Sequence, residues 1–213
     1  MKYYLTDMLF NANQITNALA GVKINGVLHV GAHDCQELGF YNNDLKVQDI
    51  VWIDALETKV KQGKLNGHNI YHATISDQDD QDIKFNISNN EQSSSILEFD
   101  THSKQHPGVV FVDSVIQKSI TIDTFFKKHD IDCSRYDFWN FDIQGAELLA
   151  LKGATNSIRF AKVIYLEVNK DHLYKDCALI DEIDAFLSDL NFTRTLTCMT
   201  AHGWGDALYL RTD

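Results

Sequence analysis

Two groups of residues in this 213-residue chain have the types and spacing to do chemistry. The first is Gly31-Ala32-His33-Asp34-Cys35, directly after the apolar run 26–30 (GVLHV). A glycine at the carboxyl end of a strand lets backbone approach a nucleotide-like ligand, and the free N–H groups of a following helix can receive it. The G-x-G-x-x-G pattern of dinucleotide sites is absent, so a plain tight turn explains these residues equally well. Asp54 strengthens the ligand reading. It closes the second apolar run, 50–53 (IVWI), and the end of a second strand lies beside the first turn, where a carboxylate accepts both hydroxyls of a ribose. Asp54 can also cap a helix beginning near Leu56, and Glu57 is the alternative ribose acid or capping acid. The second group is Asp142 and Glu167, each at the end of an apolar strand, Tyr136–Ile143 and Lys162–Val168. Together with Asn169 they make an oxygen-rich set suited to Mg²⁺, whereas no His/Cys spacing suits zinc.

These residues need a scaffold that brings strand ends together, and the pattern of the chain supplies one. Strand-length apolar segments alternate with helical ones, which is the mark of an α/β sheet. Asn69–Thr74 reads as a weaker third strand, 83–87 (IKFNI) alternates like a half-buried strand, and 109–120 holds one or two more. Thr121 is placed to cap a helix carrying Ile122, Phe125 and Phe126. A helix from about Ala146 to Leu151 ends at Gly153, and 178–190 carries an apolar stripe of period 3.6. Two last strands, near 192–199 and 206–211, join through Gly203–Gly205. A closing hairpin implies an antiparallel edge on a mostly parallel sheet.

Composition narrows the function classes. Asp and Glu total 30 against 19 Lys and Arg, a net charge of −11, which repels nucleic-acid phosphates and anionic membranes. No run of 18 apolar residues occurs, and Met1 to Gln14 lacks the basic flank and apolar core of a secretory signal. Cys35, Cys133, Cys177 and Cys198 form no C-x-x-C pair and read as reduced thiols, so a soluble, cytoplasmic protein is expected. Without repeats or linkers, 1–213 is expected to be a single domain, with residues 1–25 a helical cap and 88–108 a polar loop region.

Three segments together resemble the FkbM family of S-adenosylmethionine-dependent methyltransferases. They are VLHVGAHDCQE (Val27–Glu37), VWIDAL (Val51–Leu56), and FDIQGAELLALKGA (Phe141–Ala154) followed by IYLEV (Ile164–Val168). ATISD (Ala73–Asp77), QSSSILEF (Gln92–Phe99) and GDALYLR (Gly205–Arg211) add weaker support. The family usually has a glycine where Cys35 stands and a proline at Glu57. The resemblance implies a Rossmann-like class I methyltransferase fold, a mostly parallel sheet flanked by helices with a C-terminal antiparallel hairpin. It also implies methyl transfer from S-adenosylmethionine to a hydroxyl.

On that reading Gly31, Ala32, His33, Asp54, Ala55, Asp77 and Asp142 hold the cofactor, with Asp77 near the adenine amine. Asp142 orients or deprotonates the acceptor, with capping of the next helix as its structural alternative; Glu167 is the alternative base and His33 a third. Glu147, in the first turn of a helix, is explained by the helix dipole alone. A sugar or glycan hydroxyl is the expected acceptor, because the polar region 88–108 suggests a hydroxyl-rich pocket. Two other classes compete: a binding module that lost catalysis, motivated by Cys35, and a nicotinamide oxidoreductase, disfavoured by the missing fingerprint and by the terminal hairpin.

Overall fold

The computed structural model describes residues 8–212. Residues 1–7 of the expected cap lie outside the described residues. The rest of it holds one short helix, α1 (Ala12–Ala18), opened by reciprocal hydrogen bonds between Asn11 and Gln14. Ten strands follow: β1 (Val27–Val30), β2 (Ile50–Asp54), β3 (Ile70–His72), β4 (Thr74–Ile75), β5 (Asp82–Ser88), β6 (Phe111–Ile120), β7 (Phe138–Phe141), β8 (Val163–Asn169), β9 (Phe192–Met199) and β10 (Trp204–Arg211). Between them lie α2 (Leu38–Asn43), α3 (Glu57–Leu65), α4 (His102–Gln105), α5 (Ile122–Lys128), α6 (Glu147–Lys152) and α7 (Ile180–Ser188).

Seven strands form the main sheet in the order β3-β2-β1-β7-β8-β10-β9. From β3 to β8 all neighbours are parallel, while β10 is antiparallel to both β8 and β9. Every residue of β1, β2, β7 and β8 is buried, as a parallel sheet covered on both faces requires. Alternation divides their side chains between two apolar layers. Leu28, Val30, Ile53, Trp139 and Leu166 pack with Phe125, Leu151 and Ile183, whereas Val27, Trp52, Phe138 and Tyr165 pack with Ile15, Phe40 and Tyr41. The chain runs outward from β1 to β3, then returns to β7 on the other side of β1. That reversal opens a crevice beyond the carboxyl ends of β1 and β7, where ligands of open α/β sheets bind.

Several sequence expectations need correction. The segments expected as strands at 83–87 and 109–120 are strands, but they lie outside the main sheet. β5 and the single long β6 form an antiparallel ribbon, tied to the body by β4, in a sheet ordered β4-β6-β5. Most of β6 is exposed, Val112 and Ile116 included, so it lacks the two buried faces of a central strand. The expected third strand divides at Ala73, β3 going to the main sheet and β4 to the ribbon. The strand expected over Tyr136–Ile143 shortens to β7, and β10 begins two residues early, at Trp204. Thr121 does cap α5, accepting from the Thr124 N–H at 3.2 Å. Gly153 ends α6 with an ordinary φ of −77°. It is needed for space, since a Cβ there would meet the Ser76 carbonyl oxygen at 2.3 Å. Among the described residues no helix is long and apolar enough to cross a membrane, and all four cysteines are free.

Candidate active site

The first turn is built by backbone. The N–H groups of Gly31 and Ala32 both donate to the Ile53 carbonyl, and the Asp142 N–H donates to the Val30 carbonyl at 2.9 Å. The ends of β2, β1 and β7 are thereby drawn together. Gly31 sits at φ +91°, and a Cβ on it would fall 1.8 Å from the Asp142 carbonyl oxygen. Only glycine meets both demands. Cys35 also lies in the left-handed region, at φ +53°, which accounts for the glycine usual at that position in the family it resembles. The turn nonetheless closes, with the Cys35 N–H donating to the Ala32 carbonyl at 2.7 Å. Burial, then the carboxylates of Glu37, Asp54 and Asp34, push the Cys35 thiol up to about 12, so it is no nucleophile.

Asp54 ends β2 almost fully buried. One oxygen accepts the His33 N–H at 2.7 Å and the other the Leu56 N–H at 2.7 Å, so its carboxylate ties the two turns together. Burial raises its pKa while these two N–H groups oppose the rise. It does not cap α3, whose N-cap is Leu56, yet it faces the cavity with lone pairs to spare. Glu57 points away, mostly exposed and paired with Lys61 at 3.0 Å.

Asp142 and Glu167 come together through a residue not singled out from the sequence. Gln144, held at φ +56°, donates from its one amide nitrogen to Asp142 Oδ1 at 2.7 Å and to Glu167 Oε2 at 2.9 Å. Its amide oxygen accepts from the Tyr174 hydroxyl at 2.6 Å, and its carbonyl accepts from Ser95 Oγ at 2.8 Å. Glu167 is pushed well above the usual carboxylate range by burial first, then by the charges of Asp142, Glu147 and Asp206. Burial therefore favours its protonated form. Asp206 faces Glu167 across the β10–β8 pair and accepts from the Tyr165 hydroxyl. Glu147 turns inward to accept the N–H groups of Ile143 and Gly145 at 3.0 and 3.2 Å. Burial raises it to about 7. Its job is to hold the turn that carries Gln144.

One cavity of about 340 Å³ joins these parts. Gly31, His33, Asp54, Ala55, Asp142 and Glu167, all expected site residues, line it. Ala32 instead packs into the core beneath the turn, and Asp77 lies off the cavity, taking the Ser76 hydroxyl at 3.2 Å. The far wall was not foreseen residue by residue. It consists of 90–94 from the polar loop, Ile96, His102, His106 and Val109 beside the ribbon, and Trp204 with Asp206 on β10. Local sequence gives no signal for this wall beyond polarity, because only the tertiary fold brings β10 against the loop. The Mg²⁺ site considered at Asp142, Glu167 and Asn169 is not formed: among the described residues no group of three His, Cys, Asp or Glu side chains is arranged to hold an ion. Gln144 stands between the two carboxylates instead.

Comparison with known proteins bears on the family and the fold. The methyltransferase FkbM domain matches residues 29–193. Among solved structures, TrmK of M. capricolum in complex with S-adenosyl-homocysteine aligns over 99% of this chain and 70% of its own, with 10% identity and a TM-score of 0.52. A SAM-dependent methyltransferase from Aquifex aeolicus aligns over 96% of this chain and 91% of its own, with 15% identity and a TM-score of 0.45. The first of these shows a shared fold and nothing about substrate. No curated protein matches the chain by sequence.

Proposed function

Because the chain belongs to the FkbM family of S-adenosylmethionine-dependent methyltransferases, we propose that it methylates a hydroxyl of a small molecule, and that the molecule is a sugar or glycan. The observation that carries this reading is the single amide of Gln144 holding Asp142 and Glu167 side by side on the cavity. The cavity fits the donor chemically. Its size is within the range of ligand sites, Asp54 offers a carboxylate for ribose hydroxyls, and the acids on its floor suit a cationic ligand. When bound, S-adenosylmethionine supplies a methyl group made electrophilic by its sulfonium.

The chain's own residues do the rest. Burial raises Glu167, which favours Asp142 as the carboxylate that accepts the hydroxyl proton as the oxygen becomes nucleophilic. Gln144 fixes the direction of both acids, and positioning of this kind supplies much of the rate in an in-line displacement. His33 stands beside the first turn, its ring 3.3 Å from the Asp34 carboxylate, and is a reserve base. Asn90, Gln92, Ser93 and Ser94 offer amides and hydroxyls to a hydroxyl-rich acceptor. The net charge of −11 argues against nucleic acid or an anionic membrane as partner.

Kinetics with labelled methyl donor and a panel of sugars test the assignment. Asp142→Asn is expected to bind the donor within about tenfold of wild type yet lose on the order of 10²-fold in turnover, with a smaller loss for Glu167→Gln. The reverse order would make Glu167 the base. Full activity in both would remove both from proton transfer.

A further inference from the structure

Gln144 donates to Asp142 and Glu167 from one amide nitrogen, yet a carboxamide fills the same space with its nitrogen and oxygen exchanged. Turned round, it would press an oxygen against both acids. The far end of the amide meets Tyr174, whose hydroxyl lies 2.6 Å from Gln144 Oε1 and 3.4 Å from the Ser93 carbonyl oxygen. A phenol has one proton to give, and the shorter contact receives it. Burial first, then the nearby acids Glu167, Asp142 and Glu147, push this phenol well above its ordinary value, so it remains a donor. A donor at that end marks the place of the amide oxygen and leaves the nitrogen to the acids.

Tyr174 is itself firmly seated. Its ring is 0% exposed and packs with Leu173 and Cys177, against Leu97 and Phe99. A Cβ on Gly145 would come within 3.1 Å of the Tyr174 Cβ, so this segment lies directly on the turn that carries Gln144. Ser95 Oγ holds the backbone of the same residue, donating to the Gln144 carbonyl at 2.8 Å while accepting the Leu97 N–H at 3.0 Å. Gln144 needs such support, because a non-glycine at φ +56° persists only where its surroundings over-determine it. We infer that Tyr174 is the positioning residue of this site: its hydroxyl selects the amide orientation that turns one nitrogen to both acids. Tyr174 does not line the cavity, so it acts through Gln144. The use of that arrangement for proton transfer rests on the methyl-transfer reading above; the selection of it by Tyr174 does not.

The first measurement needs no ligand. Side-chain amide signals of the isotope-labelled protein are recorded by NMR, and Gln144→Met identifies the pair that belongs to Gln144. Those two protons are expected to exchange with water at least about tenfold more slowly than the pair of the exposed Gln62. Tyr174→Phe, which keeps the ring and removes the hydroxyl, is expected to speed their exchange about tenfold. Tyr209→Phe is the control, because it removes another buried hydroxyl, one that donates to Asp184 at 2.7 Å away from the cavity. It is expected to lower the Tm and leave the Gln144 pair unchanged. Exchange as fast in the wild type as at Gln62 overturns the inference, even if Tyr174→Phe does not fold. So does a pair untouched by Tyr174→Phe, or moved equally by Tyr209→Phe.

The second measurement reads turnover on the best sugar of the panel above. Tyr174→Phe is expected to lower kcat about tenfold, with donor Kd and acceptor KM held within about twofold. In a Gln144→Met background the same substitution is expected to cost less than about twofold more, since the partner through which it acts is gone. Losses that multiply instead would give Tyr174 a role in packing alone and overturn its action through Gln144. Faster amide exchange with full turnover would leave Tyr174 positioning the amide and sink the acid pair as proton acceptor. No methylated sugar on the panel would sink the sugar reading, and the amide measurement would still decide the role of Tyr174.

Discussion

The two halves of the cavity are made in different ways. The half around Gly31 and Asp54 is fixed by backbone: three strand ends share hydrogen bonds, and the spacing leaves no room for a single Cβ at Gly31. The half around 90–94, His102 and Trp204 is fixed by side chains from a loop, a short helix and the next-to-edge strand of the sheet. A backbone-built site changes only by breaking, whereas a side-chain wall can be recut one residue at a time. Substitutions on the first half should therefore cost stability and donor binding, and those on the second should alter acceptor use alone.

The largest effect is expected at Gly31→Ala. With a left-handed φ and a 1.8 Å collision against the Asp142 carbonyl, about 3 kcal/mol or more of stability should vanish in urea denaturation. A loss under about 1 kcal/mol would show the turn to be slack and the contrast false. Asp54→Ala comes next, weakening the donor by about 1.5–3 kcal/mol in calorimetric titration while acceptor KM holds at saturating donor. Unchanged donor affinity in a folded variant would remove Asp54 from the donor site.

Glu147 gives a pH signature on the same half. Its folded pKa, about 7, lies above the ordinary 4.5, so its contribution is full below the ordinary value and lost as pH rises toward 7. Thermal melts of the wild type should decline over that window, and Glu147→Gln should decline less, because an amide oxygen can still accept from Ile143 and Gly145. Identical slopes would mean that Glu147 is ionised throughout. The smallest effect concerns Lys59, the tie between the halves. Removing it with Lys59→Ala should cost less than about 1 kcal/mol of stability but raise acceptor KM several-fold as the 90–94 loop loosens. A change in donor affinity instead would place the loop on the wrong half.

The same contrast explains what could be read beforehand. Gly31, Asp54, Asp142 and Glu167 end apolar strands, and a parallel sheet sends the ends of its strands to one crevice, so type and position sufficed. Gln144 lay within a quoted motif, but nothing in its spacing says that one amide will serve two carboxylates. Trp204 and His102 are 102 residues apart and line one cavity only because β10 enters the sheet beside β8. The strands of the β5–β6 ribbon were legible as strands, but alternation does not report which sheet a strand joins. Asp77, which the resemblance suggested, is not among the residues lining the cavity.

The late insertion of β10 between β8 and β9 also has a consequence for synthesis. β8 ends at Asn169, and its partner on that side is complete only at Arg211, about forty residues later. At roughly 5–20 residues per second, a ribosome leaves that flank of the nascent sheet open for roughly 2–8 s. For that interval a strand buried throughout in the folded protein presents unpaired N–H and C=O groups, the template on which chains aggregate. A cell making this protein should need a holding chaperone in those seconds, and slower translation between codons 170 and 211, which lengthens the exposure, should lower the soluble yield.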